Sequence, residues 1–482
     1  MSPHSLSGGP ISSSSAPRTV AFMTVALFAF TYLIFSISPV IDSSDSAYSM
    51  LVTESVLHHH SSHLNSYQFP APIAELKTST PPTTDPANPL TYQLGRVNSN
   101  IVYCFPNGSS ILSLPFVAIL NALSIHAARS DGRYDKVGEV TIEKTLSALL
   151  MALLVGIVFR TALLLLSIEA SSIIAVGFAF GTQVWSTATR SLWSHTWFIL
   201  LGGIAVGLLL SAELKEKEIP AFLLATVLSW MYFVRPMGAI PILCVLVYVV
   251  IYHRKGFLPF AISGALWFGA FVLYSWFTFG ELLPGYYLAS RLEFHGLSTA
   301  LAGIIVSPSR GLLVYVPTIV FTFYLIARYW NQLPCRQLVR LSLAVIALHI
   351  VCVAGYPNWW GGGSYGPRLS TDLLPWFALL AIIGCEGAKK SNCSILNGPE
   401  FGVAYALLFL SIAINARGAC SVYAHHVWNL EMAIDHHPER AFDWSYPQFA
   451  AGLIKPPEYV SWRFPSPQQS LKAKPSNSLA RQ

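Results

Sequence analysis

Long uninterrupted apolar runs, separated by short polar or basic loops, recur from residue 20 to residue 417. About twelve are long enough to approach the roughly 30 Å of a hydrocarbon core at about 1.5 Å of helix rise per residue. They lie near 20–40, 110–127, 145–167, 171–185, 193–212, 219–234, 237–252, 257–279, 311–327, 338–355, 372–388 and 401–417. The runs at 110–127 and 171–185 are borderline in length. Lipid offers backbone N–H and C=O groups no partner, so segments of this kind cross as helices. The pattern predicts an all-α polytopic membrane protein, a bundle of about 11–12 transmembrane helices.

Lys and Arg in short loops are retained on the cytoplasmic side, which orients the bundle. Placing Lys215/Lys217, Arg254/Lys255, Arg328/Arg336/Arg340 and Lys389/Lys390 inside makes every hairpin from 193 onward consistent. Segments 280–310 and 356–371 and the tail after Arg417 then lie outside. Counting forward from a cytoplasmic start also puts 42–109 outside, as a long first extracytoplasmic loop with juxtamembrane helices. The two counts differ by one crossing, so either 110–127 or 171–185 dips into the membrane without spanning it. The mixed charge of 128–144 favours neither. Three regions follow: a Ser/Pro/Gly-rich disordered cytoplasmic tail over 1–18, a multi-pass transmembrane domain over 19–418 opening with an uncleaved signal anchor, and an outer-face tail over 419–482.

Composition agrees: 53% of residues are hydrophobic and 11% charged, against about 25% charged in soluble domains. The net charge of +6 is spread in pairs between apolar runs, which argues topology and excludes a nucleic-acid face. The seven cysteines show neither metal nor redox spacing.

The first loop opens Ile41-Asp42-Ser43-Ser44-Asp45-Ser46-Ala47-Tyr48-Ser49. A carboxylate fixed at headgroup level can accept a proton from an incoming hydroxyl while a lipid-borne phosphate departs. Asp42 and Asp45 could equally cap a following helix over 46–57, or divide the two roles. His58, His59, His60 and His63 follow, but consecutive histidines cannot all face one ion, so no metal site is assigned. No cofactor is assigned either, and a divalent-metal requirement is left open. Arg96 can fork onto a phosphate or snorkel to lipid phosphates.

Single arginines interrupt apolar sequence at Arg160, Arg190, Arg235, Arg291, Arg310 and Arg368. Each needs a partner, a wet cavity or an exit to the interface, because Arg within a span costs about 2.5–3.5 kcal/mol. Arg160 reads as structural; the others fall near outer ends, as an anion site would require. Two polar stretches stand out: Gln183 to His195, containing Arg190 and His195, and Asn358-Trp359-Trp360-Gly361-Gly362-Gly363-Ser364-Tyr365-Gly366-Pro367-Arg368. The second suits either a ligand-facing loop that stacks sugar on Trp360 and Tyr365 or an interfacial aromatic belt.

An Asp just after the first span, the Tyr103-Cys104-Phe105-Pro106-Asn107-Gly108 segment leading into an apolar helix, and the late Gly-Gly-Ser-Tyr-Gly-Pro-Arg loop together resemble the GT-C superfamily. These are polytopic glycosyltransferases using polyprenyl-phosphate sugars, such as the protein mannosyltransferases and the lipid A aminoarabinose transferase. The chain looks most like bacterial members of undefined substrate, where segments like Ser307-Pro308-Ser309-Arg310-Gly311 and Pro438-Glu439-Arg440-Ala441-Phe442-Asp443-Trp444 recur. The resemblance implies a GT-C-like bundle and an inverting sugar transfer at the extracytoplasmic face of a bacterial inner membrane. It makes Asp45 the general base, with Asp42 able to fill the same place, and puts Arg96, Arg310 and Arg368 against the lipid phosphate. The acceptor would be a lipid, glycan or protein. A phosphate leaves without protonation, so one carboxylate suffices where glycoside hydrolysis uses two. The alternative is a transporter or flippase of a lipid-linked saccharide, which would need ionisable groups near the bilayer midplane.

Overall fold

The computed structural model describes residues 17–70, 73, 75–76, 92–396, 398–457 and 460. Its architecture is helical and of membrane type. Among the described residues, seven helical segments are long and apolar enough to cross a bilayer, and five further apolar helical segments are shorter.

The chain opens with α1 (Pro17–Ile37) and reaches α2 (Ser49–His59) through an irregular segment. The hairpin β1 (Leu94–Val97) and β2 (Asn100–Tyr103) follows, the one sheet among the described residues. Its pairs run from Leu94–Tyr103 to Val97–Asn100. Asn98 and Ser99 at its tip take φ of 49° and 67°, the twist a two-residue hairpin turn demands.

Next come α3 (Gly108–Leu112) and α4 (Leu114–Ala122). The nine residues of α4 rise only about 14 Å, so the borderline run 110–127 is two short helices packed under α2. Its apolar residues serve packing against α2 and α5, which is why hydropathy alone could not separate it from a span.

The bundle proper is α5 (Lys136–Ala162), α6 (Ile168–Phe180), α7 (Ser194–Leu214), α8 (Ala221–Val234), α9 (Ala239–Tyr252) and α10 (Phe257–Phe279), then α11 (Leu297–Val306), α12 (Leu312–Tyr315), α13 (Thr318–Arg328), α14 (Arg336–Ala354), α15 (Leu374–Lys390) and α16 (Pro399–Cys420). A short α17 (Trp428–Glu431) lies in the C-terminal cap. Prolines place several breaks: Arg235, ahead of Pro236, is extended at φ −154° and ψ 136°, as the residue before a proline prefers, and this separates α8 from α9. The run 311–327 is likewise split at Pro317 into α12 and α13.

The span that includes α15 is 89% buried and α1 only 17%, so α15 forms the axis of the bundle while α1 faces outward against α5. The two ends of the bundle are chemically distinct. At one end, Glu213 of α7 accepts from Tyr248 and Gln337 and pairs with His253 at 2.9 Å. At that same end, Lys389 donates to Leu165 O at 3.3 Å. This end carries the loops rich in Lys and Arg. The polar stretches around 42–48, 183–195 and 356–371 converge at the opposite end.

Candidate functional site

The segment after α1 is threaded across the end of the bundle and tied down on both sides. Asp42 N donates to Arg190 O at 2.9 Å, and Gln93 Nε2 to Ser44 O at 2.8 Å. Tyr103 OH donates to Asp45 O at 2.5 Å, and the Ser46 and Ser191 hydroxyls meet at 2.6 Å. The residue before α2 is Tyr48, with φ 73° and no side-chain cap of its own. The helix start is satisfied instead by Glu139 of α5, which accepts from Tyr48 N and Met50 N at 2.8 Å each and from Leu51 N at 3.3 Å. The capping role weighed for Asp42 and Asp45 is thereby filled by a residue about ninety positions away, and both aspartates are left for other contacts.

Asp45 turns into a cradle. Tyr92 OH donates to its Oδ1 at 2.6 Å, and Arg368 Nη1 to its Oδ2 at 2.8 Å. Burial works to raise the pKa of this carboxyl, but the Arg368 charge, the Tyr92 hydrogen bond and the nearby His195 outweigh it and hold it below the usual carboxylate value. Burial, and then the same carboxylate, push the Tyr92 phenol far up, so Tyr92 remains a donor. The Asp45 side chain keeps 32% of its surface exposed, against 15% for Arg368, so an incoming group can reach it.

Arg368 is aimed by its surroundings. Its guanidinium carbon lies 4.6 Å over the Trp193 ring. It heads a 3₁₀ turn, Arg368–Leu373, reached through Gly366, where φ is +63° and an added Cβ would sit 2.6 Å from the Tyr315 ring; only glycine fits there. Within that turn Asp372, 1% exposed, pairs with His195 Nδ1 at 2.7 Å and Arg235 Nε at 3.0 Å. His349 Nε2 meets Leu369 O at 3.0 Å. Three elements of the bundle thus pin the turn that carries Arg368.

Beside this cradle lies a cavity of about 150 Å³ walled by Phe105, Trp230, Phe233, Trp267, Phe271 and Tyr286. Phe105 joins the two: its ring contacts Tyr92 and Tyr103, which hold Asp45, and Tyr286 across the cavity, at centroid distances of 6.0, 5.6 and 5.3 Å. Tyr286 in turn lies under Arg291, 4.2 Å from its guanidinium carbon. Arg291 donates to Tyr356 OH at 2.7 Å and Tyr286 O at 3.3 Å. All its partners among the described residues are neutral.

The remaining candidates are placed elsewhere. Asp42 pairs with His425 of the C-terminal cap at 3.0 Å. Arg190 spends its guanidinium on the carbonyls of Phe35, Ser38 and Val40 at 3.0–3.2 Å. Arg310 is 1% exposed and clamps the glycine loop through Trp360 O and Gly362 O, with Gln448 as a further partner at 2.6 Å. Trp360 donates to Asp435 at 2.8 Å, and the buried Tyr365 donates to Ile414 O at 2.7 Å and stacks on His425. Arg96, on β1, pairs with Glu75 at 3.1 Å. The structure therefore brings Asp45, Arg368 and His195 together, joins to them Arg235 and Arg291, two of the arginines that the sequence places near outer ends, and adds Tyr92 and Asp372, which the sequence reading did not single out. The one signal for Asp372 was a carboxylate at the very start of an apolar run. No protein-family model matches this chain, and no curated protein matches it in sequence.

Proposed function

We propose that this chain is a glycosyltransferase that moves a sugar from a polyprenyl-phosphate carrier to an acceptor hydroxyl at the extracytoplasmic face of a membrane. The observation that carries this reading is the ionised, partly exposed Asp45 carboxylate beside an aromatic cavity at one end of an apolar bundle. The acceptor oxygen attacks the anomeric carbon as its proton passes to Asp45, and the bond to the phosphate breaks with its electron pair leaving on phosphate. Direct displacement inverts the anomeric centre. Asp45, with its lowered pKa, is a weak base. That suits a reaction whose leaving group departs without protonation, since the attacking hydroxyl need lose its proton only late.

Arg291 supplies charge to the departing phosphate: its partners are neutral, whereas Arg190 and Arg310 are committed to backbone carbonyls and Arg368 to Asp45. The aromatic cavity, at the level of α8 and α10, receives the first isoprenoid units of the carrier. The helix order supports eleven crossings by α1, α5 to α10 and α13 to α16, with α2 to α4 and α11 at the outer face, in the manner of a GT-C-like bundle with its basic loops inside. In this reading the membrane is the bacterial inner membrane. A transporter reading is disfavoured because the ionisable cluster gathers at one end of the bundle and not at its middle.

The test is transfer of labelled sugar from a panel of polyprenyl-phosphate donors by membranes containing wild type or Asp45→Asn at matched levels. Transfer by wild type with loss in Asp45→Asn supports the reading. Donor crossing the bilayer unchanged at equal rates in both sinks it in favour of transport.

A further inference from the structure

At the basic end of the bundle, a groove of about 530 Å³ opens between α1, α5 and α7, with Thr24, Phe28, Gly156, Arg160, Thr161 and Gly207 in its walls. Two glycines make the space. A Cβ on Gly207 would meet Thr161 Oγ1 at 3.1 Å, and one on Gly156 would meet Thr24 Cγ2 at 3.7 Å. Arg160 is the one ionisable residue of the lining. Its guanidinium is exposed and has no hydrogen-bond or ion-pair partner among the described residues. Neither wall hydroxyl bonds to it: Thr24 donates to Val20 O at 2.7 Å and Thr161 to Ile157 O at 2.8 Å, each within its own helix.

The depth is informative. Thr24 and Gly207 each lie seven residues inside the basic ends of their helices, about 10 Å of rise. The last turn of α5, which carries Arg160, packs at the level of Gly207 and so below the end of α7, where an unpaired cation in lipid is costly and a counter-charge must come to it. Beyond Arg160 toward the bilayer centre the walls turn apolar, through Val25, Phe28 and Leu153. On the solvent side, Arg18 of α1 and Lys215 at the end of α7 add positive charge. The site thus offers a cation at headgroup depth and an apolar track leading inward from it.

We infer that this groove binds one anionic glycerophospholipid of the leaflet at the basic end, its phosphate on Arg160 and an acyl chain along Phe28 and Leu153. This site is remote from Asp45 and independent of the sugar-transfer reading.

The experiment is native mass spectrometry on detergent-purified full-length protein incubated with equimolar phosphatidylglycerol and phosphatidylcholine. Wild type retains phosphatidylglycerol in preference to phosphatidylcholine, and Arg160→Gln loses about tenfold of that retention, the loss of one charge-assisted hydrogen-bonded contact. Arg160→Lys keeps most of it. Gly207→Leu, which fills the floor and leaves Arg160 in place, loses it too. Equal retention by wild type and Arg160→Gln overturns the inference, as does wild type holding both lipids equally or Gly207→Leu binding as wild type does.

Discussion

Arg368 Nη1 donates to Asp45 Oδ2 at 2.8 Å, joining the first long loop to a residue 323 positions later. The contact does two things at once. It keeps the carboxylate charged despite burial, and it gives one end of the bundle a covering loop whose position depends on the chemistry it carries. A first prediction is that Asp45→Asn lowers sugar transfer by about two to four orders of magnitude, the span of general-base contributions. Asp42→Asn, which only loosens the contact to His425, stays within about tenfold of wild type on the same scale. Initial rates at matched membrane levels decide it, and the reverse ranking would move the base to Asp42.

The second prediction concerns pH. Burial raises the Asp45 pKa, and the Arg368 charge with the Tyr92 hydrogen bond brings it below the ordinary value. The base form exists above its pKa, so wild-type transfer persists as pH falls to the ordinary carboxylate range and is lost only below it. Removing the cation in Arg368→Ala leaves burial uncompensated and moves the acid limb to higher pH, by about one to three pH units. The pH profile of the initial rate separates this from a uniform loss, which would scale the curve without displacing it.

What could be read from the sequence, and what could not, follows from the distance over which each interaction acts. Asp45 was legible because it follows an apolar run directly, and Arg368 because a glycine-rich polar stretch ends on it. Tyr92 was not, since its only distinction is meeting a carboxylate 47 positions earlier. Arg190 looked like an anion ligand by its place at a helix end. Its acceptors are the neighbouring Thr189 hydroxyl and the carbonyls of Phe35 in the last turn of α1 and of Ser38 and Val40 in the irregular segment after it, and irregular backbone leaves no periodic trace. The start of α2 gave the same lesson, with a local aspartate as the obvious cap and Glu139 as the one used. The apolar bundle itself was readable because lipid imposes one rule on every residue of a span, whereas the length of α4 depends on which neighbours it meets.

Arg291 gives the third prediction. Flanked by Tyr286 and Tyr356 and free of any carboxylate among the described residues, it carries charge that a phosphate can use. Arg291→Ala should weaken binding of undecaprenyl phosphate by roughly ten- to a hundredfold, the worth of a hydrogen bond to a charged group, and leave binding of the uncharged alcohol unchanged. Equal loss for both lipids would assign Arg291 to the shape of the cavity mouth instead.

The fourth prediction turns on Asp372, which answers both Arg235 and His195 inside the bundle at 3.0 and 2.7 Å. Taking away one member of a buried ion pair leaves the other charge without compensation, at a cost of about 3–5 kcal/mol. Asp372→Asn should therefore lower the midpoint of thermal unfolding in detergent. It should also lower transfer, because the turn that presents Arg368 to Asp45 loses one of its anchors. Pairing it with Arg235→Gln removes the stranded cation, so the double variant should recover part of the lost thermal stability without recovering transfer. Stability and activity that rise together in the double variant would make Asp372 a purely structural residue; stability recovered alone would assign it the positioning of Arg368.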